Sequence, residues 1–287
     1  MNLRLFPVAP AFLIAATQIP LAAAQLQLVG NDINGILYNV ATSNGVASMP
    51  RATRIDYLTG ITYDLSQRTM YGLTAYASMP PNFILKINPA TGTYASVGLT
   101  GLDHIFEGDL SLNPLTGQLF GMADAPNAPF GPFNLFRMDL VTGGSATIVG
   151  ALPSSNSPDY SAMAFDNLGK LFIVNTGGSG NSTLLTIDPS TAAVLALVTL
   201  DVNLGYTAGM AIDPFSGVAY LADGGTQGTD SLYQLDLTSG QTTLVGQLGL
   251  TDGLAGLTFI PEPTPMALAS SGALLYAALR RRINGRQ

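Results

Sequence analysis

Apolar and polar residues alternate along most of this chain in runs of five or six, broken by Gly, Asn, Asp and Pro. Period-two alternation between turn formers predicts short strands and tight turns. Five segments repeat one plan: "LYNVATSNG", "ILKINPATG", "LFRMDLVTG", "LLTIDPSTA" and "LYQLDLTSG", starting at Leu37, Ile84, Leu135, Leu184 and Leu232. Each is a strand ending in a turn, and Ala41, Asn88, Asp139, Asp188 and Asp236 hold its fifth place, 47, 51, 49 and 48 residues apart. Four continue into a second strand: "TYASVG", "SATIVG", "AVLALV" and "QTTLVG". Asp or Asn followed a few residues on by Gly suits a short hairpin, because Gly accepts positive φ without penalty.

A second series lies between these: "GITYDLSQRTMYGL", "GDLSLNPLTGQLFGM", "SAMAFDNLGKLFIV" and "AGMAIDPFSGVAYLA". Each is a strand, a turn at Asp64, Asn113, Asp166 or Asp213, and a strand carrying Tyr71, Phe120, Phe172 or Tyr220. Four strands per period of about fifty residues is the signature of propeller blades. Four units run from Gly60 to Gly246. The leftovers complement each other: one first strand at "GLAGLTFI", and a second, third and fourth strand from Leu26 onward. Pairing them leaves no free sheet edge at the join. The expected fold is therefore all-β, a five-bladed β-propeller closed by N- and C-terminal strands in one blade. An open stack would leave two unpaired ends, and a sandwich would not account for the period.

In such a blade, turns after the first and third strands share one face, and here they are short and uniform. Loops after the second and fourth strands share the other face. They are longer and varied, as in "YASMPPN", "DAPNAPFGPFN", "GLTGLDHIFEG" and "ALPSSNSPDY". Variation confined to one face of a rigid scaffold marks the binding side. The periodic Tyr71, Phe120, Phe172 and Tyr220 read as packing between blades. Resemblance to kelch- and WD40-type propellers is architectural only, since Trp is absent and no Gly-His…Trp-Asp pattern occurs.

The ends differ in composition. Residues 1–24 carry Arg4, an apolar stretch, and Ala22-Ala23-Ala24 before Gln25. That order predicts a secretory signal peptide cleaved between Ala24 and Gln25, with Ala22 and Ala24 as the small residues of the site. Residues 25–260 are the predicted propeller. Residues 261–287 hold Pro261-Glu262-Pro263, fourteen mostly apolar residues from Met266 to Leu279, and Arg280, Arg281 and Arg282. Fourteen helical residues reach about 21 Å, short of a bilayer core about 30 Å thick. Basic residues following the apolar run favour a cytoplasmic C-terminus.

Together, the Pro-Glu-Pro motif, the apolar helix and the Arg cluster resemble the PEP-CTERM sorting signal of Gram-negative bacteria. The resemblance covers about the last 27 residues. It implies an exosortase partner, a transient stay in the inner membrane facing the periplasm, then release to the cell surface or extracellular matrix. Hosts of this system often make exopolysaccharide. Pro265 and Gly272 depart from the pattern by weakening the helix.

Charge narrows the partners. Between Gln25 and Pro263 there are six basic and eighteen acidic residues, a net of −12. Such a surface repels phosphate backbones, which excludes nucleic acid as an expected partner. Without Cys there are no disulfides. The single His, His104, lies with Asp103, Glu107 and Asp109 in "GLDHIFEGD", a candidate set of ligands for a divalent cation. A Ser-His-Asp triad would have to use His104, and no Gly-x-Ser-x-Gly elbow accompanies it. The repeated turn Asp residues have a simpler role, bonding nearby backbone amides. With no convincing catalytic set and no obligatory cofactor, the expectation is an exported binding or structural protein. Its expected partner is exopolysaccharide or another surface protein. The alternative is a propeller enzyme, a metal-assisted hydrolase, lactonase or lyase, acting on an extracellular glycan or small molecule through Asp103, His104, Glu107 and Asp109.

Overall fold

The computed structural model describes residues 25–262 except 107, 125–131, 141–144, 154–158, 177–180, 206 and 225–229. Leu26–Glu262 is a compact unit. The first three strands are β1 (Leu26–Asn31), β2 (Ile36–Val40) and β3 (Ala47–Ala52). The next blade is β4 (Leu58–Asp64), β5 (Thr69–Thr74), β6 (Phe83–Ile87) and β7 (Tyr94–Leu99). It is followed by β8 (Leu110–Leu112), β9 (Leu119–Asp124), β10 (Phe133–Met138) and β11 (Thr147–Ala151). The fourth is β12 (Tyr160–Phe165), β13 (Leu171–Asn175), β14 (Thr183–Ile187) and β15 (Val194–Thr199). The fifth is β16 (Thr207–Ile212), β17 (Ala219–Gly224), β18 (Ser231–Leu235) and β19 (Thr242–Gln247), and β20 (Gly256–Pro261) ends the unit.

These strands form five antiparallel four-stranded sheets, one of them ordered β20-β1-β2-β3. Leu26 lies opposite Pro261 and Asn31 opposite Gly256, so the blade that closes the ring is built from both ends of the unit, as the strand count predicts. The fold is an all-β, five-bladed propeller. The first residue of the Pro-Glu-Pro motif departs from expectation. Pro261 is the last residue of β20, and both Pro261 and Glu262 are half-buried, so the motif starts inside the sheet and not beyond the predicted boundary at Ile260. Proline is tolerated at a strand end, where its missing N–H costs no interior ladder bond. Residues 1–24, Pro263, the apolar stretch from Met266 to Leu279 and Arg280, Arg281 and Arg282 lie outside the described residues. Among the described residues no helix is long and apolar enough to cross a membrane.

The core is five clusters, one in each gap between adjacent blades. One joins Phe120, Met122 and Leu135 to Met163, Phe165 and Ile173, and another joins Tyr220 and Leu232 to Leu28, Leu257 and Phe259. Tyr71, Phe120, Phe172 and Tyr220 each belong to a different cluster, as their periodicity predicts. A side chain this size contributes roughly 1.5–3 kcal/mol by burial.

The innermost strands β4, β8, β12, β16 and β20 surround the central channel. Their inner edges lack a sheet partner, and side chains of neighbouring blades supply one. Thr62 Oγ1 accepts from Leu112 N at 3.2 Å, Ser111 Oγ from Phe165 N at 3.0 Å and Asp109 Oδ2 from Met163 N at 2.9 Å. Asn31 Nδ2 donates to Leu58 O at 2.7 Å. Close approach at the axis requires small residues. A Cβ at Gly209 would lie 2.8 Å from the Gly256 carbonyl carbon, and one at Gly60 would lie 2.6 Å from Asp109 Cα.

Candidate functional site

Innermost strands run from the varied face to the uniform face, so their N-terminal ends gather at one mouth of the channel. A cavity of about 260 Å³ opens there. Thr59 of β4, Ser161 of β12, and Gly108 and Ala255 just before β8 and β20 lie around it, with Tyr57, Tyr76 and Phe106 as its aromatic wall. The loops that carry these aromatics are pinned. Tyr57 N–H donates to Ile33 O at 2.7 Å, Tyr57 O accepts from Ala75 N at 3.0 Å, and Tyr76 N–H donates to Ile105 O at 2.7 Å. Tyr57 holds φ at 59°, a left-handed conformation that is an outlier for a bulky side chain. Such strain persists only where the surroundings over-determine it. The Tyr76 ring stacks with His104, at 4.0 Å between centroids, and with Phe106, at 5.8 Å. Ser161 is 4% exposed, and its Oγ has no hydrogen-bond partner.

Carboxylates and amides at the ends of second strands hold this mouth in shape. Asp124 Oδ2 accepts from Phe106 N at 2.8 Å, Asn175 Oδ1 from Asp159 N at 2.9 Å and Asp223 Oδ1 from Gly205 N at 2.9 Å. Each bond ties the end of a second strand to the segment leading into the first strand of the same blade. Asp32 accepts from Ile36 N at 2.8 Å and from the Tyr38 hydroxyl at 3.1 Å. Burial is the main cause that pushes the Asp32 carboxyl above the ordinary range, against the pull of these bonds. Burial also pushes the Tyr38 hydroxyl up to about 12, helped by the neighbouring Asp32 charge.

The candidate cation ligands are placed in different settings. Asp103 is exposed, and its backbone carbonyl accepts from Asn82 Nδ2 at 3.4 Å. His104 lies over Tyr76, with Nδ1 at 3.9 Å from Asp124 Oδ2. Asp109 is fully buried in the channel wall, where its carboxylate bridges Leu110 N and Met163 N. Burial drives its pKa well above the ordinary value, and those two amides offset part of the rise. Glu107 lies outside the described residues. Among the described residues no three His, Asp or Glu side chains come together as a metal site. The backbone amide of Asp159 is held by Asn175, and Asp252 accepts from Asn34 Nδ2 at 3.0 Å. Gln25, which starts the predicted mature chain, is exposed ahead of β1.

Sequence reasoning selects the face but misses Tyr57, Tyr76, Phe106 and Ser161. A usable signal lies in aromatics that stand outside the periodic places. Tyr76 opens "YASMPPN", and Phe106 lies in "GLTGLDHIFEG", both in varied loops.

The chain is similar to a chain of the nidogen/laminin complex, at 14% identity and TM-score 0.52, over 82% of this chain and 98% of that one. It is similar to a Bacteroides caccae protein of unknown function at 11% identity and TM-score 0.53, over 84% of this chain and 100% of that one. At these identities the likeness shows the fold alone. No curated protein matches in sequence. Residues 109–262, more than half the chain, match the family described as a repeat of unknown function (DUF6923), and the chain belongs to that family.

Proposed function

We propose that this protein is an exported binding propeller that recognises a component of the cell surface or extracellular matrix at the channel mouth. The observation that carries this reading is the 260 Å³ aromatic-walled cavity, set on the varied face of a closed ring. A pocket with apolar walls and a few convergent polar groups is the usual form of a ligand site. The ring supplies rigidity, so binding orders little backbone and loses little affinity to that ordering. Export rests on the signal-peptide pattern, and surface delivery on the resemblance of residues 261–287 to the PEP-CTERM tail. An exosortase removes that tail in this reading. The nidogen/laminin complex offers a precedent of a similar fold within a complex of two proteins. The partner classes are a matrix polysaccharide or a surface protein.

The test is a glycan array together with a pull-down from host surface material, using the wild-type chain and a Tyr57→Ala/Tyr76→Ala variant. Retention of a partner by the wild type, lost in the variant, is expected. Equal retention by both removes the cavity from recognition. Processing is tested separately by intact mass in hosts with and without the exosortase. Arg280, Arg281 and Arg282 should be absent only where the enzyme is present.

A further inference from the structure

The lining of the channel mouth narrows its ligand. Among the described residues no charged side chain lines the cavity, so an ion entering it would shed water without gaining a partner. Two polar side chains reach it from innermost strands. Thr59 Oγ1 already donates to Leu73 O at 3.3 Å. Ser161 is 4% exposed, and its Oγ has no partner. A buried hydroxyl left unpaired is unfavourable, and a ligand that bonds it removes that penalty. Size sets a second limit. The volume of about 260 Å³ exceeds the roughly 150 Å³ that encloses one benzene ring in an engineered protein, and falls short of the roughly 300–1,000 Å³ of sites for drug-sized ligands. One ring with one polar substituent suits it. The aromatic wall is not uniform. Tyr76 is already stacked with His104 and Phe106, whereas Tyr57 is 48% exposed and, among the described residues, packs on no other ring. Apolar surface continues past the cavity at Met79, 82% exposed, two residues beyond the lining residue Ala77.

We infer that the cavity receives the uncharged phenol ring of a tyrosine from a partner protein. The ring packs against Tyr57, its hydroxyl donates to Ser161 Oγ, and the residues flanking it in the partner cover the rim of Tyr57, Tyr76 and Met79. Aromatic pairs gain more than their buried area, and tyrosine and methionine are enriched in the dry centres of interfaces. A sugar ring fits this lining less well, because several hydroxyls would lose water and one free polar side chain is there to meet them. The inference rests on the channel mouth being the recognition site, and it selects the protein class of partner over the polysaccharide.

The test titrates the full chain, by NMR, with a flexible Gly/Ser peptide carrying one tyrosine. Comparison ligands are the same peptide with phenylalanine, free p-cresol and glucose. The tyrosine peptide should bind roughly fivefold more tightly than the phenylalanine peptide, the effect of one added neutral hydrogen bond. Ser161→Ala should remove that preference and leave the phenylalanine peptide unchanged. Tyr57→Ala should weaken both peptides by at least about threefold. Rising salt should change neither, since no charge is paired. Equal binding of the two peptides to the wild type overturns the inference and leaves the cavity as a plain apolar site. Binding of p-cresol as tight as that of the tyrosine peptide overturns the protein partner in favour of a free phenolic ligand. Glucose binding more tightly than either peptide overturns it in favour of the polysaccharide. Binding of no probe, with the ring intact by circular dichroism, also overturns it. A partner retained in pull-down by the same preparation, and lost in the Tyr57→Ala/Tyr76→Ala variant, would then show that the recognition reading survives.

Discussion

The two faces of the ring use the same residue type in opposite ways. On the uniform face, Asp64, Asp166, Asp188, Asp213 and Asp236 each accept from the amide two residues on, at 2.8 to 2.9 Å. These bonds are local, and they pull the exposed Asp188 and Asp236 carboxyls below the ordinary range. On the varied face, Asp32 and Asp109 are buried, and burial pushes both up. Asp109 reaches 54 residues along the chain to Met163, and Asp124 reaches 18 residues back to Phe106. The uniform face thus uses its charge to build turns. The varied face holds acidic groups at a cost in desolvation.

The largest effect should come from removing the closure on which both faces depend. Deleting Leu26–Asn31 takes β1 from between β20 and β2 and leaves unpaired edges at the join. Cooperative unfolding should be lost, with dye binding to exposed apolar blade surfaces in its place. A truncated chain that melts as sharply as the wild type would show that the mixed blade is dispensable.

Glycines distinguish the axis from the turns at a smaller scale. Gly209→Val drives a side chain into the Gly256 backbone, which has nowhere to move. The expected loss is about 2–4 kcal/mol by urea denaturation. Gly217 sits in a turn on the uniform face with φ of 74°, and a methyl added there would meet nothing within 4 Å. Gly217→Ala should lose only about 1–2 kcal/mol, the conformational cost alone. Equal losses would contradict close packing at the axis.

The same contrast explains what the sequence reveals. Turn chemistry is encoded within four residues, so the five repeats, their strand pairs and the role of Asp188 and Asp236 can be read directly. Closure by β1 and β20 is also legible, because leftover strands must pair. Asp109 shows the limit. Beside His104 it reads as a metal ligand, since nothing local discloses that Met163 lies against it. Tyr57 and Ser161 are joined at the cavity only by ring closure, 104 residues apart in sequence. Pairings at that separation follow from tertiary geometry and leave no periodic trace.

Titration of the two Asp classes should separate them by sign. Burial raises the folded-state pKa of Asp109 above the ordinary 3.8, so the fold prefers its protonated form. The resulting stability is fully present below 3.8 and is lost as pH rises through the folded value. Asp109→Asn removes this penalty. The variant should therefore gain stability relative to the wild type on going from acid to neutral pH. A stability difference independent of pH would show that Asp109 titrates alike in the folded and unfolded chains.

Asp188→Ala should give the smallest effect and the opposite trend. Its carboxylate is exposed and accepts from Ser190 N at 2.8 Å, Ser190 Oγ at 2.7 Å and Thr191 Oγ1 at 3.0 Å. The Ser190 hydroxyl is the first cause of its lowered pKa. A carboxyl depressed in the fold contributes stability above the ordinary 3.8 that disappears as pH falls through the folded value. Solvent and salt screen so exposed a group, so the loss in Asp188→Ala should be small near neutral pH, smaller still in high salt, and absent in acid. Melting curves of Asp109→Asn and Asp188→Ala against the wild type across the acid range should then run in opposite directions. If both run the same way, position on the ring does not decide what an Asp does, and the division of labour between the two faces fails at its simplest point.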